Sequence, residues 1–305
     1  MAPTPRTVLS AQRVVRLRPA FESLLSQRAD AERLQHDPLR IPSRYSDPAD
    51  QEIAAVFAAL LGYGRVTAFL PVIESIMAQA DAVGGPRAFI DGFDPQDAVA
   101  LRPMKYRWNN GIDFVLLAAG LRRIMAEHDR LGAVIEGAWR KSHRNIRPAL
   151  SAMVATLRAA VLAAAPEHGV VVSGFSGLPR GTRTLLASPD SGSACKRWNM
   201  LLRWMIRTDS PDLGIWALPA SALVLPLDTH THKLSWLLGL TRRTDASWKT
   251  AEEITRNLAR LDPTDPVKYD FALAHLGISG GCRKERIPSI CDPCAMVSVC
   301  QVGAP

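Results

Sequence analysis

Four of the five cysteines in this chain of 305 residues stand close together near its end, in the spacing Cys282-x8-Cys291-x2-Cys294-x5-Cys300. Thiolates are soft ligands for zinc or for an iron–sulfur cluster, and loops this short can fold their ends around one centre. The chain's start shows no secretion signal, so a reducing compartment is expected, which argues against disulfides. Structural zinc usually takes two Cys-x2-Cys knuckles, whereas here a single such pair is flanked by two longer, unequal gaps. This spacing predicts a [4Fe–4S] cluster held by Cys282, Cys291, Cys294 and Cys300, with Zn2+ as the alternative. The fifth cysteine, Cys195, is remote from the group and reads as a small buried thiol.

Two further segments carry residues able to do chemistry. "SGSACKRWNMLLRWMIR" (191–207) is a Gly-Ser turn that opens into a basic amphipathic helix carrying Lys196, Arg197, Arg203 and Arg207 and no acid. Such a stretch suits contact with phosphates. "LVLPLDTHTHKLSWLLGL" (223–240) places Asp228 where a helix beginning at Thr229 needs its N-cap. His230 and His232 are two residues apart, face different sides of that helix and are not read as a metal pair.

The elements that must position these groups read as helices. Apolar spacing predicts helix over 10–36, with Pro19 as a kink or restart, within the stretch 46–64, and over about 65–80, 112–128, 131–143, 147–165, 194–207, 229–238, 247–260 and 266–276. For the second of these, Asp47 or Asp50 is the expected cap, Glu52 complements the dipole, and Gly62 and Gly64 mark the stop. One β-like run, "GVVVSGF" (169–175), stands alone without a pairing partner, so the expected fold class is all-α. The Gly-, Pro- and Ser-rich stretch 166–193 reads as a long connection. Composition is that of a globular protein, and the longest apolar runs fall short of a membrane span. A chain of this length buries roughly three quarters of its unfolded surface. The net charge of +8, divided evenly between the halves, leans toward an anionic partner.

The block "DPVKYDFALAHLGISGGC" (265–282) followed by a Cys-x2-Cys-x5-Cys tail resembles the end of endonuclease III-like DNA glycosylases. "LVLPLDTHTHKLSWLLGL" resembles the signature of the same helix–hairpin–helix superfamily, and the whole is similar to a bacterial, DUF2400-like branch of it. The resemblance covers residues 192–300, with a fainter likeness over 50–130. It implies a fold of two helical lobes. N-terminal helices (1–48) would pack with a cluster-bearing segment (241–305), and a helical barrel (49–240) would contain the hairpin at about 183–208. It implies Asp228 as the carboxylate that stabilises positive charge on the sugar, and Lys196 as a nucleophile. Gly192 and Ser193 would form the phosphate-binding hairpin, although Ala194 stands where the family has a second glycine. Arg197 and Arg203 would contact DNA, as would Arg283, Lys284 and Arg286 of a cluster loop two residues longer than usual. Tyr63 or Arg65 would fill the gap left by a flipped base, and "MKYRWNNG" (104–111) would line the same cleft.

The expected function is therefore base-excision repair of damaged duplex DNA, monofunctional or with AP-lyase activity, by a monomeric, cytoplasmic and nucleoid-associated protein with no membrane partner. The long gap from Lys196 to Asp228 is similar to that of archaeal 8-oxoguanine glycosylases and points to an oxidised purine. The insert "RTDSPDLGIWALPASA" (207–222) supplies that length, and its Trp216 reads as core filling more than as a base-stacking surface. Two alternatives stay open at this point: a non-catalytic iron–sulfur protein that binds damaged or structured DNA, and a zinc-stabilised scaffold for protein partners.

Overall fold

The computed structural model describes residues 7–26, 34–278 and 282–302. The protein is all-α, the α-helices that lie wholly among the described residues being, in order, α1 (Ala11–Ser26), α2 (Pro48–Leu61), α3 (Val66–Asp81), α4 (Pro86–Gly92), α5 (Asp97–Leu101), α6 (Gly111–His128), α7 (Leu131–Lys141), α8 (Ile146–Ala164), α9 (Arg180–Leu185), α10 (Lys196–Ile206), α11 (Thr229–Leu237), α12 (Trp248–Leu258), α13 (Asp270–Ile278) and α14 (Pro288–Cys291). A two-stranded hairpin, β1 (Lys105–Tyr106) and β2 (Asn109–Asn110), pairs antiparallel within the basic aromatic segment. The β-like run 169–175 forms no strand, and Val171 in it is exposed. Without a neighbour to complete a ladder, a short valine run has nothing to pair with.

Local chemistry sets the helix starts. Asp47, Asn145, Asp228 and Ser247 each accept a hydrogen bond from a backbone N–H of the turn they open. Each offsets one of the orphan donors of a helix N-terminus. Asn110 and Asp113 form a reciprocal capping box at the head of α6. Part of the helix expected over 10–36, and the residues Gly280 and Gly281 before Cys282, lie outside the described residues.

The chain divides into two compact units, one of residues 34–191 and 204–218, the other of residues 1–33, 192–203 and 219–305. This partition differs from boundaries at 48/49 and 240/241. Residues 192–203 and 219–240 belong with the chain ends because hydrogen bonds hold them there: Trp248 N–H donates to Gly192 O (3.0 Å), and Leu225 N–H to Thr255 Oγ1 (3.0 Å).

In the first unit α6, α7 and α8 build the core. A Cβ on Gly120 would stand 2.3 Å from Val161 Cγ2, so α6 and α8 approach where only glycine fits. Glu52 does more than complement the dipole of α2. It is buried and accepts from Leu131 N–H (2.8 Å), Gly132 N–H (2.9 Å) and Trp216 Nε1 (2.6 Å), capping α7 from α2. Trp216 is thereby a core residue, as its apolar surroundings in the sequence suggest. The helical stretch Ile146–His168 is long and apolar enough to cross a membrane, with half of its apolar window buried in the fold.

In the second unit α1 lies against the chain's end and the loop after α12. Asn257 ties the segments together, its Oδ1 accepting from Leu9 N–H and its Nδ2 donating to Thr7 O and Leu240 O.

Candidate functional site

Asp228 follows a buried apolar run, Leu223 to Leu227, and stands half-buried at the head of α11. Its Oδ1 accepts from His230 N–H (2.9 Å) and Thr231 N–H (2.8 Å). Asp228 is therefore an N-cap, held by two backbone donors through one oxygen. His232 bonds Arg243 O through Nε2 (2.9 Å), so the two histidines of this turn take separate partners.

Lys196 is the first residue of α10 and is half-buried, as is Arg197. The turn before it is bent at two left-handed positions, Gly192 (φ 80°) and Cys195 (φ 48°). The position where the resemblance expects a second glycine, Ala194, is not one of them. Ser193 Oγ accepts from Cys195 N–H (3.2 Å), and Ser193 forms an isolated bridge with Ser247, which anchors the Gly-Ser turn to the head of α12.

The expectation of a basic amphipathic helix with Arg203 on DNA is corrected. From Trp198 to Arg207 every residue of this segment is buried. Arg203 is 3% exposed, its Nη1 lies 2.5 Å from Asp270 Oδ2, and the ring of Phe271 lies 5.6 Å from its guanidinium. Arg207 is likewise buried and paired with Asp212. A buried cation requires a partner, so these arginines serve the interior rather than a phosphate backbone.

Asp270 heads α13 and is buried, and burial pushes its carboxyl up from the ordinary range. Arg203 opposes that shift, Asp228 adds to it and Lys196 lowers it again. The carboxyl of Asp270 is thus within electrostatic reach of both Lys196 and Asp228, which lie far apart in sequence. Neither Asp270 nor its pairing with Arg203 has a motif to announce it; the one signal is an acid opening an otherwise apolar helix.

The four tail cysteines are all free thiols of intermediate exposure, and all four line one cavity of about 240 Å³ with apolar neighbours from α1, α11 and α13. Burial pushes the Cys294 thiol up, and Cys282, Cys300 and Cys291 push it further. Ile287 N–H donates to Cys291 Sγ (3.5 Å). Among the described residues no three His, Cys, Asp or Glu side chains gather tightly enough to hold a single metal ion. Four soft donors around one apolar cavity fit a polynuclear thiolate-held group, whose cationic core would relieve the crowding of four thiolates.

The loop between Cys282 and Cys291 reaches the Asp228 turn. Lys284 (φ 66°) donates through Nζ to His230 Nδ1 at 3.0 Å. Arg286 is tied to Asp292 at 2.6 Å, and Arg283 is exposed.

In the other unit Tyr63 does not project as a free wedge. Its hydroxyl donates to Asn109 Oδ1 (2.5 Å) and its ring stacks on Trp108 with centroids 4.8 Å apart. The Arg107 guanidinium lies 5.0 Å from the Trp108 ring, and Trp108 is 42% exposed. Arg65 is exposed at the head of α3. The hairpin 105–110 therefore offers a stacked aromatic and cationic surface, with Trp108 rather than Tyr63 as its exposed ring.

No curated protein and no solved structure matches the chain. Residues 37–279 match the family described as "Protein of unknown function (DUF2400)", and the chain belongs to that family.

Proposed function

We propose that the protein is a base-excision DNA glycosylase with AP-lyase activity, acting on a base flipped from damaged duplex DNA, with oxidised purines as the favoured lesion class. The observation that carries this reading is the 3.0 Å contact of the cluster loop's Lys284 with His230, two residues from Asp228, in the same compact unit as Lys196. It is supported by the Gly-Ser turn that presents Lys196 and by the cysteine cavity.

In this mechanism Asp228 stabilises the positive charge that develops on the deoxyribose as the glycosidic bond lengthens. Two backbone donors fix its Oδ1, so the carboxylate is preorganised and pays no reorientation cost as the charge appears. Lys196 Nζ attacks C1′, the C1′–N bond breaks with its electron pair leaving on the base, and the base takes up a proton. The amine sheds its proton to solvent and the sugar ring opens to a Schiff base. Loss of a C2′ proton then breaks the C3′–O bond, and water hydrolyses the imine to restore the lysine. The buried Arg203–Asp270 pair holds α10 to α13 beside these groups. Cys282, Cys291, Cys294 and Cys300 would hold a [4Fe–4S] group, which when bound would cross-link the tail and shape the loop carrying Arg283, Lys284 and Arg286.

The test is base release from lesion-bearing duplexes by the full chain and by Asp228→Asn. Asparagine caps a helix as well as aspartate, so this change removes the charge and keeps the cap. Release is expected to fall by about 10²–10³-fold with the fold intact. Unchanged release would remove Asp228 from the chemistry, and no release by either protein from any lesion would favour binding without catalysis.

A further inference from the structure

A second pocket, adjoining the cysteine cavity at Cys300, opens beside the start of α1. It has a volume of about 490 Å³ and three of its lining residues are Arg13, Arg16 and Arg242. No Asp or Glu lines it; the other polar side chains are those of Thr7, Ser10, Ser298 and Gln301, with the thiol of Cys300 at one edge. Three guanidiniums lining one concavity without a carboxylate repel one another. Such an arrangement is stabilised when an anion enters.

The arginines are placed, not merely exposed. Arg13 Nη2 donates to Leu238 O (3.1 Å) and Val299 O (2.6 Å). Arg242 Nη1 donates to Gln301 Oε1 (3.2 Å), and its guanidinium lies 5.2 Å from the Trp236 ring. Arg16 reaches Ser298 O at 3.4 Å. Each guanidinium has five N–H donors, so the carbonyl and amide contacts orient the three groups and leave donors for a ligand. A fork of guanidinium donors with nearby hydroxyls matches the tetrahedral oxygens of phosphate.

We propose that the Arg13–Arg16–Arg242 pocket binds a phosphate group, either of a nucleic-acid backbone or of a free phosphate compound. Asp228 caps the first turn of α11 while Leu238 and Gly239 follow its last, so the pocket lies about one nine-residue helix, ~14 Å, from the carboxylate. It is a separate subsite, and the proposal stands whether or not the protein releases bases.

The test uses the full chain and Arg16→Gln/Arg242→Gln, which leaves Arg13 on its two carbonyls. A second double variant, Arg18→Gln/Arg256→Gln, removes the same charge from exposed positions outside the pocket. Affinity for an undamaged duplex is measured from 50 to 200 mM salt, and binding of inorganic phosphate by calorimetry. Loss of one phosphate contact makes the logarithmic salt slope shallower by about 0.9, so the variant's affinity should fall about 3.5-fold less across that range than the parent's. A shallower slope in the pocket variant alone assigns the pocket to backbone phosphate. Loss of inorganic phosphate binding with an unchanged duplex slope assigns it to a free phosphate compound. Should the glutamine variant fail to fold, Arg16→Lys/Arg242→Lys keeps the charge and loses the fork, and is expected to weaken binding while holding the slope. If the pocket variant, or in its place the lysine variant, matches the parent in both measurements, or if the control variant shows the same change, the proposal is overturned.

Discussion

At the residue scale the organising feature is the Arg203–Asp270 pair, both partners almost wholly buried at 2.5 Å. Removing one partner of such a pair leaves a charge without compensation in a medium that solvates it poorly. Asp270→Asn is expected to cost about 3–5 kcal/mol in chemical denaturation, and Arg203→Met/Asp270→Leu to recover most of that loss. A cost below about 1 kcal/mol for the single change would show that water reaches the pair. This pair also marks where residue-level reading of the sequence stops. Arg203 stands seven residues from Lys196 in a run of cations, and nothing local separates an arginine aimed at phosphate from one aimed at an aspartate sixty-seven residues away. Asp228 was legible as an N-cap, because an aspartate directly before a helical run has that use.

At the element scale, caps and ion pairs decide how α1 and the start of α13 are joined. Lys268 Nζ lies 3.1 Å from Glu22 of α1 and 2.9 Å from Asp262, and the Tyr269 hydroxyl donates to Glu22 at 2.9 Å. Burial alone would raise the Asp262 carboxyl, but Thr264, Lys268 and two backbone N–H groups outweigh it and hold it far below the ordinary range. A carboxyl depressed in the folded state contributes stability above its unfolded value, near pH ~4, and that contribution is lost as pH falls further. Asp262→Asn should therefore lower the urea midpoint at pH 7 and flatten the acid loss of stability below pH ~4. An acid limb identical to the parent's would rule this carboxyl out. Most helices were legible because their apolar spacing and Asp, Asn or Ser caps coincide, as at Asp47 and Ser247. The hairpin at 105–110 was not, since strands of two residues leave no alternation to read. The burial of α10 was hidden for a related reason: its cations suggested solvent, and their acidic partners lie outside the helix.

At the scale of the whole molecule, the net charge of +8 is not spread as the sequence suggests. Arg203 and Arg207 are spent inside, while Arg13, Arg16, Arg242 and the loop carrying Arg283 face outward. The gathering of the four tail cysteines was legible because they lie in one short segment, and all four line one cavity. The purified protein is expected to carry about four irons per chain and a broad visible absorption, both lost in Cys291→Ser/Cys294→Ser. Stoichiometric zinc without iron would assign the cavity to a single ion instead.

The most direct test of the central claim is borohydride trapping of the full chain on duplexes carrying abasic, oxidised, alkylated and deaminated sites, with Lys196→Ala alongside. The account predicts a covalent adduct with the parent, strongest on an oxidised purine or abasic site, and none with the variant. An adduct that persists in Lys196→Ala, or no adduct with either protein on any site, would contradict it.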